Sequence, residues 1–239
     1  MSSQPRLAII GFGAFGQLIA RHLRDHLPIC VCDPVTRAND LPQVGLAEAA
    51  RCQIIVLAVP LSRLEVVLRT IAPHLLPGAL VVDVASVKIR PAELMQQILP
   101  DHVQIVASHP LFGPESTRDG LAGHRIAWCP LRGEGHRRAG ALLRRLGLRV
   151  LCTTPDQHDR EMAVVQGLTH LIARGLGEMG PLPDRLTTAS FRRLAEAAAM
   201  VQADSPELLQ AILTGNPHAG PVRRRFLAAA AGIADGEAA

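Results

Sequence analysis

Seven short apolar runs recur through the first two thirds of the chain, at Leu7–Ile10, Ile29–Cys32, Ile54–Ala58, Leu80–Val84, Gln104–Ala107, Arg125–Cys129 and Arg149–Cys152. Several are almost unbroken Val, Ile and Leu. That is the pattern of strands covered on both faces in a parallel sheet, not the alternation of a half-exposed one. Helix-like stretches at Phe15–Asp25, Arg63–Ala72, Pro91–Leu99 and Gly135–Leu146 lie between them, and Pro91 suits the first position of its helix. Strand alternating with helix predicts a doubly wound α/β sheet. Past Cys152 the strand pattern stops, and Asp156–Met179, Asp184–Ala203, Ser205–Thr214 and Pro221–Ile233 read as helices. Ser205, Pro206 and Glu207 read as an N-cap, a first-turn proline and a first-turn acid. The expected organisation is an α/β domain over residues 1–153 and an all-helical domain over 154–239.

Composition narrows the function. With 48% hydrophobic and 19% charged residues the chain carries enough apolar material for a core, which excludes a disordered protein. No run approaches the ~18–20 apolar residues of a membrane helix; the longest, Cys52–Ser62, contains Pro60. The opening MSSQPR leads into an apolar run shorter than a signal-peptide core, so a cytoplasmic protein with no membrane partner is expected. The net charge of +4 comes from scattered arginines, and aromatics make up only 3%; without stacking residues no nucleic-acid partner is expected. The five cysteines are odd in number and show no metal-binding spacing. Cys30, Cys52, Cys129 and Cys152 sit in or beside strands, where a thiol behaves as a small hydrophobe; neither a metal nor a disulfide is expected.

The first strand runs into Gly11-Phe12-Gly13-Ala14-Phe15-Gly16, which opens the first helix. In that context a GxGxxG motif points to a dinucleotide: Gly11 for the tight turn, Gly13 for backbone approach to a pyrophosphate, Gly16 for close helix–strand packing. The helix N-terminus offers unpaired N–H groups to the phosphates. Gly11, Gly13, Phe15 and Gly16 are therefore assigned to the cofactor, together with Val59 and Pro60 at the end of the third strand. Asp33 ends the second strand, placed to accept hydrogen bonds from the adenosine ribose and to repel a 2′-phosphate. It favours NAD over NADP. Arg37 argues the other way, and Asp33 beside Pro34 is also a plausible turn cap.

Two polar clusters follow later strands: Asp83-Val84-Ala85-Ser86-Val87-Lys88, and Ser108-His109-Pro110-Leu111-Phe112-Gly113-Pro114-Glu115-Ser116. Both strands are read as parallel ones, so both clusters face the cofactor crevice. A histidine there can take a proton from a substrate hydroxyl while a hydride leaves the same carbon. His109 is the candidate base, Ser86 a group to orient the hydroxyl, and Lys88 either an anion holder or a structural cap.

GFGAFG, DVASVK, HPLFGPES and the helical DQHDREMAVVQGLTH of Asp156–His170 together resemble the TyrA family, the prephenate and arogenate dehydrogenases of tyrosine biosynthesis, over roughly residues 6–215. HPLFGPES and HDREMAVVQGLTH look closest to the plant-like arogenate branch. The resemblance implies a Rossmann-type domain followed by a helical domain that supplies substrate contacts and a homodimer interface. It implies oxidative decarboxylation of arogenate or prephenate with NAD or NADP. His109 is then the histidine on the ring hydroxyl and Ser86 its assistant, with Gln166 and His170, one turn apart on one helix face, contacting substrate. Prephenate-preferring members carry an arginine on a later helix; Met200 stands at that position here, with Arg192 about two turns earlier. Arogenate-type plant relatives carry an acid in a segment resembling Asp204–Leu209. Asp204 is therefore assigned to the substrate ammonium, with a helix N-cap as its alternative role. With only a short stretch following residue 215, no feedback domain is expected. Another Rossmann-plus-helical reductase, or a dinucleotide-sensing protein without catalysis, are the alternatives; neither accounts for HPLFGP.

Overall fold

The computed structural model describes residues 6–202 and 204–236. The chain divides into two compact units, the first ending at Pro155 and the second beginning at Asp156.

The first unit is built on β1 (Leu7–Ile10), β2 (Ile29–Cys32), β3 (Ile54–Leu57), β4 (Leu80–Asp83), β5 (Gln104–Pro110), β6 (Arg125–Arg132) and β7 (Arg149–Cys152), in the order β2-β1-β3-β4-β5-β6-β7. The first five in that order are mutually parallel. A lone parallel bridge from Val31 to Gln43 lies outside β2, where a fuller Rossmann sheet adds another strand. Helices α1 (Ala14–Leu23) and α5 (Gly135–Arg145) cover one face, packing on Ile9 and Val31 and on Val106 and Trp128 respectively. Helices α2 (Leu46–Ala49), α3 (Leu61–Ile71) and α4 (Ile89–Ile98) cover the other, on Ile55, Val81 and Ile105. Both faces are covered, which is why the strands read as continuous apolar runs.

Three details differ from the sequence reading. β6 runs antiparallel to β5, with Pro110 opposite Ile126, and this pairing carries β5 three residues past its expected end at Ala107. Pro91 is the third residue of α4, not the first; the first four N–H groups of a helix have no intrahelical partner, so a proline there loses no hydrogen bond. The four-residue α2 had no sequence signal.

The second unit consists of α6 (Pro155–Glu178), α7 (Ala189–Gln202), α8 (Pro206–Gln210) and α9 (Ala219–Ala234). α7 starts five residues later than expected because Thr188 Oγ1 accepts from the Phe191 amide at 3.2 Å and caps it there. The helix expected over Ser205–Thr214 is α8 followed by a π-turn, Ala211–Gly215. This unit buries few apolar side chains, chiefly Met162, Ala163, Ala173, Ala198 and Ile212, while Val165, Met179, Leu186, Met200 and Ile233 stay exposed. No helix among the described residues is long and apolar enough to cross a membrane.

Candidate active site

The strand order sets the candidate residues of the first unit along one edge of the sheet. Asp33 follows β2, Gly11 follows β1, Ala58 to Pro60 follow β3, Ser86 lies on the loop after β4, and His109 is near the end of β5. Four interstrand steps separate the first from the last, about 19 Å at the usual strand spacing, a span suited to an extended dinucleotide. Ligands of open α/β sheets bind outside these carboxyl ends.

The three glycines meet three different constraints. Gly11 has φ of +97°, and a Cβ there would sit 2.2 Å from the Ala58 carbonyl oxygen; a Cβ on Gly16 would sit 2.1 Å from the Gly11 carbonyl oxygen. Both are demands of the fold itself. Gly13 is different: it has ordinary backbone angles and nothing within 4 Å of a Cβ, yet it caps α1 and stands exposed in front of its first turn. The fold does not need a glycine there, whereas a phosphate group resting on the helix N-terminus does. The residues present fit a dinucleotide. Phe15, on the first turn of α1, lies with its ring centroid 6.3 Å from that of Phe112. Val59 follows the carbonyl that leaves no room for a Cβ on Gly11, and Pro60 stands at the N-cap of α3.

Asp33 binds the glycine loop directly. Its Oδ2 accepts from the Phe12 amide at 2.6 Å, and its Oδ1 from the Val35 and Thr36 amides at 2.8 Å each. Burial works to raise this carboxyl, but the three amides, Phe12 first, outweigh it and hold it below the ordinary value. The turn-cap role is thus real. It leaves one lone-pair direction on Oδ2 for a ribose hydroxyl. Arg37 is exposed nearby in the chain.

At the other end of the row, His109 is almost fully buried. The two-residue period of the strand puts it on the face of Ala107, the face covered by α3 and α4. Ser86 is half-buried on the β4–α4 loop. Beneath them lies a polar network that sequence reasoning missed. Lys88 is 0% exposed, and its Nζ lies 2.5 Å from Asp83 Oδ2 and 2.6 Å from the Ser108 carbonyl. It occupies the N-cap position of α4 without a side-chain cap bond. Its ammonium is therefore spent inside the protein, which overturns its reading as an anion holder. Burial pushes the Asp83 carboxyl up, and Lys88 with the Ala85 and Ser108 amides pulls it back. The available signal was an Asp and a Ser ending the apolar runs LVVD and IVAS, with a lysine five residues after the Asp.

In the helical unit, Gln166, His170 and Asp204 come together. His170 Nδ1 lies 2.9 Å from the Gln166 carbonyl oxygen, and Nε2 lies 3.0 Å from Asp204 Oδ2. The side-chain Oε1 of Gln166 is buried without a hydrogen-bond partner among the described residues. Asp204 is not a helix cap: Ser205 caps α8, its Oγ accepting from the Leu208 amide at 3.2 Å. Met200 and Arg192 are exposed on α7.

Two family descriptions match the chain: the nucleotide-binding domain of prephenate dehydrogenase over residues 36–160, and its dimerization domain over residues 154–234. The chain belongs to the prephenate dehydrogenase family. The first match starts beyond the glycine loop and Asp33, so their assignment stands on geometry. Among curated relatives of the family, arogenate dehydrogenase 2, chloroplastic, of Arabidopsis thaliana is 28% identical over 239 residues, covering 91% of this chain and 66% of that protein. Cyclohexadienyl dehydrogenase of Zymomonas mobilis is 28% identical over 252 residues, covering 93% and 85%. The chain spans less than two thirds of both Arabidopsis relatives, 66% of one and 38% of the other. Among solved structures, prephenate dehydrogenase from A. aeolicus in complex with hydroxyphenyl propionate and NAD+ superposes with a TM-score of 0.79 at 19% identity, covering 98% of this chain and 90% of that one. Synechocystis arogenate dehydrogenase superposes with a TM-score of 0.68 at 21% identity, covering 98% and 93%. At these identities the superpositions establish the fold, a Rossmann-type sheet followed by a helical unit.

Proposed function

We propose that this chain oxidatively decarboxylates arogenate, and prephenate less well, with NAD(P) as the oxidant. The observation that carries the reading is the row of site residues along one sheet edge, with a phosphate-accepting glycine loop at one end and a buried histidine beside a serine loop at the other. NAD(P), when held by the glycine loop and Asp33, would supply the hydride acceptor. His109 takes the proton of the ring hydroxyl as the carbinol C–H bond breaks, and Ser86 orients that hydroxyl. The bond to the ring carboxylate then breaks, CO2 leaves, and its electron pair completes the aromatic ring. The proton held by His109 returns to the phenolate oxygen, so the reaction balances without an added acid.

Asp33 supports NAD as the preferred cofactor. Gln166, with its unpartnered Oε1, and the His170–Asp204 pair are proposed to contact the substrate. Asp204 Oδ1 is directed to the arogenate ammonium, Oδ2 being engaged with His170. With prephenate the same oxygen meets a keto oxygen. A charge-assisted hydrogen bond contributes ~1.5–3 kcal/mol, and ~1.4 kcal/mol is one decade, so arogenate is preferred at least tenfold. The exposed apolar side chains of the helical unit support a homodimer formed through it.

The purified protein is assayed with arogenate and prephenate, each with NAD and NADP, by reduced-cofactor absorbance. Turnover with neither substrate refutes the function. Asp204→Asn narrows the arogenate preference by improving prephenate use; an unchanged ratio returns substrate choice to the arginines, Arg192 first.

A further inference from the structure

We propose that Lys88 is a positioning residue for this reaction: with Asp83 and Ser108 it clamps the loop bearing Ser86 to the strand bearing His109. The proposal rests on the function proposed above. Four hydrogen bonds join the end of β4 to Ser108, the residue immediately before His109, or close the loop on itself. Lys88 Nζ reaches the Ser108 carbonyl at 2.6 Å and Asp83 Oδ2 at 2.5 Å; the Ser108 amide donates to Asp83 Oδ1 at 3.2 Å; Ser108 Oγ donates to the Asp83 carbonyl at 2.7 Å. A fifth, from the Ala85 amide to Asp83 Oδ2 at 2.9 Å, fixes the loop one residue before Ser86.

Side chain, amide and carbonyl of Ser108 are thus all held by two residues that flank Ser86 in sequence. Ladder pairing between β4 and β5 ends at Asp83 opposite Ala107. Beyond that point the clamp takes over the work of the ladder, over the stretch where the two candidate groups must hold a fixed separation. A proton transfer requires heavy atoms within about 2.6–3.2 Å, and misplacement by about 1 Å can cost a hundredfold.

A buried ion pair is a poor device for stability alone. Replacing one by neutral side chains of similar volume is often neutral or stabilising, whereas removing one partner strands a charge. The decisive variant therefore removes both charges and keeps both shapes, Asp83→Asn with Lys88→Met. It is expected to melt within a few degrees of the wild type or above it, to keep KM for NAD within about twofold, and to lose at least tenfold in kcat. The acid limb of its pH profile stays in place, because no net charge near His109 has changed. Wild-type kcat, or a loss confined to KM, overturns the proposal. Ser108→Ala deletes one bond and no charge, and is expected to lose about threefold or more in kcat while folding normally. If the double variant fails to fold, wild-type kcat in Ser108→Ala overturns the clamp. The wild type is measured first: inactivity with both arogenate and prephenate refutes the function, and the clamp is then decided by hydrogen exchange at the Ser108 and His109 amides. Their exchange must speed up in the folded double variant while that of β1 does not; unchanged exchange overturns the clamp.

Discussion

Gly13 and Gly16 stand three residues apart in one motif, and the structure predicts opposite consequences for the same substitution. A Cβ on Gly16 meets the Gly11 carbonyl at 2.1 Å and its carbon at 3.1 Å, both backbone atoms. No flexible side chain can yield, so α1 must lift from β1 by about 1 Å. Overpacking of this kind costs about 2–3 kcal/mol. At 2–4 °C per kcal/mol for a chain of this size, Gly16→Ala lowers the melting temperature by about 4–12 °C. A Cβ on Gly13 meets nothing within 4 Å, and the residue already has φ of −67°. Two small effects then oppose each other: the unfolded chain loses freedom, stabilising by about 0.4–1 kcal/mol, and the helix exchanges a glycine N-cap for the poorer alanine. They nearly cancel, so Gly13→Ala melts within about 2 °C of the wild type. Its methyl group nevertheless stands where the pyrophosphate must approach, and NAD binding weakens at least tenfold, about 1.4 kcal/mol. Thermal unfolding and calorimetric NAD titration of the two variants read both quantities. Wild-type NAD affinity in Gly13→Ala would refute the placement of the cofactor; a wild-type melting temperature in Gly16→Ala would refute the packing argument.

His109→Ala lowers turnover by roughly 10²–10⁴, the usual share of acid–base catalysis, and leaves NAD affinity almost unchanged; near-normal turnover sinks the assignment. Asp33→Ser shrinks or reverses the preference for NAD over NADP, read from the specificity constants, and a wild-type preference for NADP would mean that Arg37 outweighs the acid. Because Asp33 is held below the ordinary carboxylate value when folded, its contribution to stability is complete above its unfolded pKa and is lost as the pH falls through the folded one; Asp33→Ser therefore flattens the acid arm of the melting-temperature profile.

The parts of this molecule that were legible in the sequence are those whose constraints are local. Each strand of the parallel set betrayed itself by apolar continuity, because burial on two faces acts on every residue of the run. Gly16 was legible for the same reason, since it answers to the Gly11 carbonyl of the adjoining turn; Gly11 answers to Ala58, 47 residues on, and was legible only through its motif. The direction of β6 was not, because the apolar stretch Ile126–Leu131 packs equally well in either sense, and the antiparallel pairing of Pro110 with Ile126 is decided across the fourteen residues that connect β5 to β6. Asp204 illustrates a competition that sequence states and structure resolves. Asp and Ser are both good N-caps, and they stand side by side. Only Ser205 reaches the Leu208 amide, which leaves Asp204 its carboxylate for His170, a residue 34 positions away.

Lys88 was the hardest to foresee, because a lone lysine in a loop is ordinarily a solvated surface group. What buries it is register. β4 and β5 pair so that Asp83 stands opposite Ala107, which brings the carboxylate and the Ser108 carbonyl to one point that the lysine side chain can span. The ammonium is a compact donor that serves both acceptors, whereas a guanidinium would bring a rigid planar fork into a fully buried space. This gives a physical reason for a lysine in a chain whose other 24 basic side chains are arginine.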